Sequence, residues 1–326
     1  MPISNFPGGF ASGVTIRGVP ILQTHPGAVF WVDNGTTGLL VGQRGGSNGN
    51  KGTFDSPFST LEYAFSQCET NRGDIIFIKP GHAESIISAT ALNFDVAGVA
   101  VVGLGAGTAR PTFTFTTANT ATIPVTANNI SVSNVLFVGN FLSIASAITV
   151  AAAADFAVEN CEFRDTSATA GFLSIVTTTV TVNADRMRFV DNKVVCTATT
   201  TPGPTVVVAG TMTGLTVNDN RITHTTISND VSALIDHGAL VMTDMQVMRN
   251  YVYSVNTTTA SGAILVLTSA TTGTGMIAHN RIRALDVAAA ILVTATAVQN
   301  GMFDNLYTGE TTLLSGFVLP AIATDA

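Results

Sequence analysis

The sequence predicts an all-β chain of stacked coils, each made of three short strands. Three observations carry this. From about residue 75 onward, Val, Ile, Thr and Phe alternate with Ser, Asn and Gly, which is the period-two pattern of strands. A short motif centred on asparagine recurs seven times, and an apolar series recurs out of phase with it. Only 11% of the residues are charged, against about 25% in an ordinary domain, and the missing charge is replaced by Thr, Ser, Asn and Gly.

Residues 1–28 are rich in Gly and Pro and have little periodicity, so they read as an extended N-terminal arm. Residues 29–74 read as a capping unit. It opens with the apolar strand "AVFWV" and continues into the Gly/Asn-rich loop "VGQRGGSNGNKGTFDS". A helix is expected next, with Ser56 as N-cap and Pro57 in its first turn. Phe58, Leu61, Ala64, Phe65 and Cys68 would form its apolar face, and Gly73 would end it. "DIIFIKPG" then reads as a buried strand followed by a Pro-Gly turn.

Residues 75–310 carry the repeats. The asparagine series is "SVSNVLF", "AVENCEF", "FVDNKVV", "VNDNRIT", "VMRNYVY", "IAHNRIR" and "MFDNLYT", centred on Asn134, Asn160, Asn192, Asn220, Asn250, Asn280 and Asn305. The second series is "AITV", "FLSIV", "TVVVA", "ALIDHGALV", "AILVL" and "AILVT". Three short strands in 25 to 32 residues cannot close a core alone. Stacking closes it, with each coil hydrogen-bonded to the next at about 4.8 Å. The asparagines then fall at one bend in successive coils, where their amides satisfy backbone groups and bond to one another as a ladder.

The V-x-D-N-R-I and I-x-H-N-R-I pattern resembles the repeat of the pectate-lyase-like superfamily. The stretch "FWVDNGTTG…SPFSTLEYAFSQ…RGDIIFIKPGHAESI" resembles that superfamily's entry module, in which a strand and a helix cap the first coil. The resemblance implies a right-handed parallel β-helix of about eight to ten coils, with residues 311–326 as C-terminal cap. That fold hosts lyases, hydrolases, epimerases, phage tailspikes and non-catalytic virion proteins, so chemistry must be argued from residues. The opening "NFPGGFASGVTIRGVPIL" is similar to N-terminal arms of tailed-phage particle proteins, which dock a module onto the virion. The same resemblance implies a homotrimer.

The residues flanking the asparagines are the best candidates for chemistry. With the asparagines inward, Glu159, Asp191 and Asp219 would form an outward carboxylate column, with Arg249 following and Lys193 and Arg221 beside it. Such a column could hold Ca²⁺ or supply the carboxylate pair of glycoside cleavage. The favoured reading is a solvated face whose opposite charges offset one another. Asp236 and His237 read as turn residues, "GLGAG" at Gly103–Gly107 as a turn, and His82 and Glu84 as surface or packing residues. Trp31 stands alone, with no aromatic platform for sugar stacking. Cys68, Cys161 and Cys196 lack metal or redox spacing and read as buried free thiols.

A net charge of −7 without a Lys/Arg cluster argues against a nucleic-acid partner. No apolar run has bilayer-spanning length, and no secretory signal is evident, so synthesis in a host cytoplasm is expected. The smooth, Thr-rich, charge-poor faces predict burial between copies. The expected function is a non-enzymatic structural virion protein on the capsid exterior of a tailed phage. It would be a homotrimer, bound to the major capsid protein or other virion proteins through its arm, with no cofactor or metal. The alternatives are a tailspike-like polysaccharide depolymerase using Glu159, Asp191 and Asp219, or a module that binds surface glycans.

Overall fold

The computed structural model describes residues 15–16, 19–20, 27–37, 39, 41–179, 184–197, 205–225, 233–237, 241–254, 263–267, 273–283, 293–294, 298–308 and 316–317. Its strands wind into three parallel faces, giving the expected all-β right-handed parallel β-helix. The first face runs through Val29–Val32, Ile75–Ile78, Ala100–Gly103, Ser131–Ser133, Ala157–Glu159, Arg188–Val190, Thr216–Asn218, Met242–Met248, Gly273–Ala278 and Val298–Phe303. The second runs through Ala83–Ile86, Thr112–Phe115, Leu136–Gly139, Glu162–Asp165, Lys193–Cys196, Arg221–His224, Tyr251–Ser254, Arg281–Arg283 and Leu306–Thr308. The third, with 7 strands, runs from Ile123–Val125 to Val293–Thr294. Among the described residues seven coils carry a third-face strand. At the C-terminal end Gly316–Phe317 pairs antiparallel onto Leu306–Thr308. Of the arm, Thr15–Ile16 pairs antiparallel with Val19–Pro20, and most of its other residues lie outside those described.

Strand alternation sends every second side chain into the coil, and parallel register stacks like on like. On the second face Phe113, Phe137 and Phe163 share one inward register, with ring centroids 6.1 and 4.8 Å apart. Val194, Ile222 and Val252 continue that column. On the first face Val101, Val132, Val158, Phe189, Val217 and Val247 do the same. On the third it is Ile123, Ile148, Val176, Val206 and Ile235. All are buried.

The cap differs from the expected helix. The helix is Leu61–Ser66, six residues long, and its N-cap is Thr60, whose hydroxyl accepts from the Tyr63 N–H. Phe58 is drawn into the sheet instead: its N–H donates to the Trp31 carbonyl and its carbonyl accepts from the Asp33 N–H, both at 2.9 Å. Ser56 closes a tight reciprocal pair with Thr53 at 3.1 Å. The expected apolar spacing survives in Leu61, Ala64 and Phe65, which are buried against the first coil. Polar side chains hold the unit down. Asn48 Oδ1 accepts from the Ser59 N–H at 3.1 Å, and Asn50 Nδ2 donates to the Gly45 and Pro57 carbonyls at 2.8 Å. Asp74, fully buried, accepts from the Ala28 and Glu69 N–H groups and from Arg72 at 2.6 to 2.8 Å.

One inward position near the end of the second-face strands is polar in three coils, where Asp165, Cys196 and His224 are all buried. Asp165 accepts from the Phe172 and Thr197 N–H groups. Neither ring nitrogen of His224 has a hydrogen-bond partner, and burial pushes its pKa down from 6.5 to about 4. Between those values the unfolded chain binds the extra proton and the folded chain does not. The stability tied to His224 is therefore complete above about pH 6.5 and is lost as the pH falls toward 4, by on the order of 3 kcal/mol. Urea midpoints measured near neutral pH and near the lower limit should show a His224→Leu chain with a visibly flatter pH dependence than wild type. Equal pH dependence in the two chains would rule this out.

Candidate functional site

In every coil from Ser131 onward, two residues separate the first-face strand from the second-face strand. The chain must turn between sheets within that pair. The first residue of each pair is left-handed: Asn134, Asn160, Asp191, Asp219, Arg249, His279 and Asp304 have φ between 50 and 59°. Asn, Asp and His tolerate this conformation better than most residues. The second residue of each pair points inward. It is Val135, Cys161, Asn192, Asn220, Asn250, Asn280 and Asn305, each 1% exposed.

From Asn192 to Asn305 the inward residues form a continuous hydrogen-bonded column. Asn220 is representative. Its Nδ2 donates to the Phe189 carbonyl of the coil below at 2.8 Å and to Asn250 Oδ1 of the coil above at 2.9 Å. Its backbone N–H donates to the same Oδ1 at 3.1 Å, and its own Oδ1 accepts from the Asn192 N–H at 2.9 Å. Asn250 and Asn280 repeat this pattern, and Asn305 Nδ2 donates to the Ile277 carbonyl at 2.9 Å. At the lower end Asn192 Oδ1 accepts from the Cys161 N–H at 2.9 Å.

Asn134 and Asn160 do not belong to this column. Both sit one position earlier, at the left-handed residue, and Val135 and Cys161 fill the inward place. Strand register requires it. Phe163 pairs with Val194 and Glu159 with Val190, which sets Asn160 beside Asp191 rather than Asn192. Asn134 instead stitches the loop of the coil below, donating from Nδ2 to the Gly103 and Gly105 carbonyls at 2.8 and 2.9 Å. The same approach leaves no room at Gly103, where a Cβ would lie 2.3 Å from the Asn134 carbonyl oxygen.

That one-residue offset also dissolves the expected carboxylate column. Glu159 lies on the first face, in register with Ser133 and Val190, and pairs with Arg188 at 3.0 Å. Asp191 and Asp219 do share the left-handed position in adjacent coils. Asp219, however, is held by both Nε and Nη2 of Arg249 at 2.7 Å, and His279 Nδ1 lies 2.6 Å from Asp304. The next outward register, at the start of the second-face strands, runs Leu136, Glu162, Lys193, Arg221, Tyr251 and Arg281. Glu162 there is surrounded by Arg164 at 2.5 Å, Lys193 at 3.3 Å and Arg110 at 3.6 Å. Burial opposes its ionisation, but Arg164 and Lys193 outweigh that and hold its carboxyl below the usual range.

Other candidates resolve individually. Asp236 and His237 lie in the strand Ala233–His237, in register with Val207 and Val208, and not in a turn. Burial raises the Asp236 pKa, and its Oδ1 has no hydrogen-bond partner. His82 is buried. Its Nδ1 accepts from the Asn34 N–H at 3.1 Å, so its Nε2–H donates to Glu84 Oε1 at 2.7 Å, and Glu84 in turn accepts from the first N–H of the helix, that of Leu61. This chain locks the cap to the first coil. Trp31 is not alone: Phe54 packs edge-on at 4.9 Å and Phe77 tilts beside it at 5.0 Å. Neither phenylalanine neighbours it in sequence, so only strand pairing and the loop reveal the cluster. Cys161 and Cys196 are buried, Cys68 is half-buried, and all three are free. Burial pushes the thiols up, to about 12 for Cys68 and Cys161.

Among the described residues no three His, Cys, Asp or Glu side chains are arranged to hold a metal ion, and no helix is long and apolar enough to cross a membrane. What the bend can do is bear load. Its inward amides satisfy backbone groups that no strand reaches, and several outward charges neutralise one another across coils. No family model matches this chain, and no curated protein matches it. Among solved structures it is similar to a rhamnogalacturonan lyase at 10% identity, with a TM-score of 0.40 over 86% of this chain and 87% of that one. It is also similar to the pectate lyase Pel9A at 12% identity, with a TM-score of 0.43 over 85% of this chain and 77% of that one.

The inward and left-handed asparagines should differ sharply on substitution. Asn220→Ala strips partners from the Phe189 carbonyl and the Asn192 N–H and should cost about 2–4 kcal/mol in chemical denaturation. Asn160→Gly, at an exposed left-handed position, should change stability by less than about 0.5 kcal/mol. Similar losses for both would contradict the placement of the ladder.

Proposed function

We propose that this chain is a non-catalytic structural component of a tailed-phage virion, a rigid β-helix that decorates or stabilises the capsid. The observation that carries the reading is where its polar groups are spent. Asn192, Asn220, Asn250, Asn280 and Asn305 are buried in backbone hydrogen bonds. Of the carboxylates that could have formed a catalytic column, Glu159 faces Arg188 and Asp219 faces Arg249. Hydrolysis needs two carboxylates free to act at a set separation across the scissile bond, whereas these are tied to neighbouring cations. In this reading copies associate as a homotrimer and residues 1–28 anchor the module to the major capsid protein or another virion protein.

Two measurements test it. Mass spectrometry and electron microscopy of purified particles should place the chain in the outer shell. Purified protein should release no oligosaccharide from capsular or pectic polysaccharides. Turnover abolished in an Asp191→Ala, Asp219→Ala double variant that remains folded would overturn the reading in favour of a depolymerase.

A further inference from the structure

The outward side of the second face concentrates positive charge on an otherwise acidic chain. Arg164, Lys193, Arg221 and Arg281 stand there with Glu162 as the one carboxylate among the described residues, while the whole chain carries −7.

The lower half of this strip shows how it holds an acid. Glu162 projects between Arg164 and Lys193 of the next coil and accepts from both, at 2.5 and 3.3 Å. Among the described residues the upper half has no such carboxylate. Asp219, the nearest in sequence to Arg221, is held by Arg249. Arg221 instead lies over the Tyr251 ring, 5.5 Å from its centroid. Among the described residues Arg281 has no ion-pair partner, and its side chain is exposed.

We propose that this upper strip is a docking surface for an extended acidic segment of a partner protein. Lys193 to Arg281 spans three coil steps, about 14 Å, the length of four to five extended residues. Arg221 and Arg281, two coils apart, stand about 10 Å from each other, which matches carboxylates three residues apart on one face of a polyproline-II-type extended chain, about 9 Å. The incoming carboxylates take the role Glu162 plays below, and the cations fix register more than they supply affinity. A nucleic acid fits less well: beyond this short strip its phosphates meet an acidic molecule, and the Tyr251 ring is already covered by Arg221 instead of being open to a base. The docking surface holds whether or not the chain belongs to a virion.

The test uses the full chain and a fluorescent oligo-glutamate peptide followed by anisotropy. Binding should be saturable and should weaken as salt is raised. An Arg221→Glu, Arg281→Glu double variant with unchanged circular dichroism should bind at least about tenfold more weakly. Arg186→Ala, which removes a cation already paired with Asp155 on another edge, should bind like wild type. Absence of peptide binding, or equal binding by the double variant, would overturn the proposal. So would tighter binding of a single-stranded oligonucleotide or of heparin than of the peptide.

Discussion

From Ser131 onward each coil of this molecule passes from its first face to its second within two residues, and the inward side of that turn is dry. A dry turn exposes backbone N–H and C=O groups to an apolar interior, each costing about 1–3 kcal/mol if left unpaired. The pair of residues at the bend answers both demands. One adopts the left-handed conformation that makes the corner. The other, from Asn192 upward, places an amide among the orphaned backbone groups. The three faces, their register and the stacked apolar columns all rest on this corner repeating at the same place in each coil.

Two ways of filling the inward position divide the molecule. Below Asn192 it is Val135 and Cys161, and the neighbouring core column is aromatic, with Phe113, Phe137 and Phe163 stacked. Above it the inward position is asparagine and the same core column narrows to Val194, Ile222 and Val252. The lower coils depend on ring packing and the upper on amide hydrogen bonds. His224, with no partner for either nitrogen, lies in the upper part.

Much of this was legible in the residues. Alternation, the recurring asparagine motif and the apolar series out of phase with it are direct traces of strands stacked in register, and "DIIFIKPG" is the strand-and-turn it reads as. The misreadings have physical causes. Asparagine suits both a left-handed corner and a buried ladder, so aligning on Asn134 and Asn160 merged two roles. Aligning instead on the inward apolar residues, Phe137, Phe163, Val194 and Ile222, would have separated them. Serine and proline before Phe58 are good helix-start residues, but Phe58 gains strand hydrogen bonds to Trp31 and Asp33 and the helix starts later. Charge pairing such as Arg249 with Asp219 joins residues 30 apart, which a linear reading cannot see without the correct register.

The ladder also has a direction. Each inward amide donates to a carbonyl of the preceding coil and is itself completed by the following one. The lowest ladder residue, Asn192, rests on the aromatic part through the Cys161 N–H and the Val158 carbonyl. The aromatic coils come first in the chain. A polypeptide emerging from the ribosome therefore releases the ring-packed coils before the amide-bonded ones that rest on them.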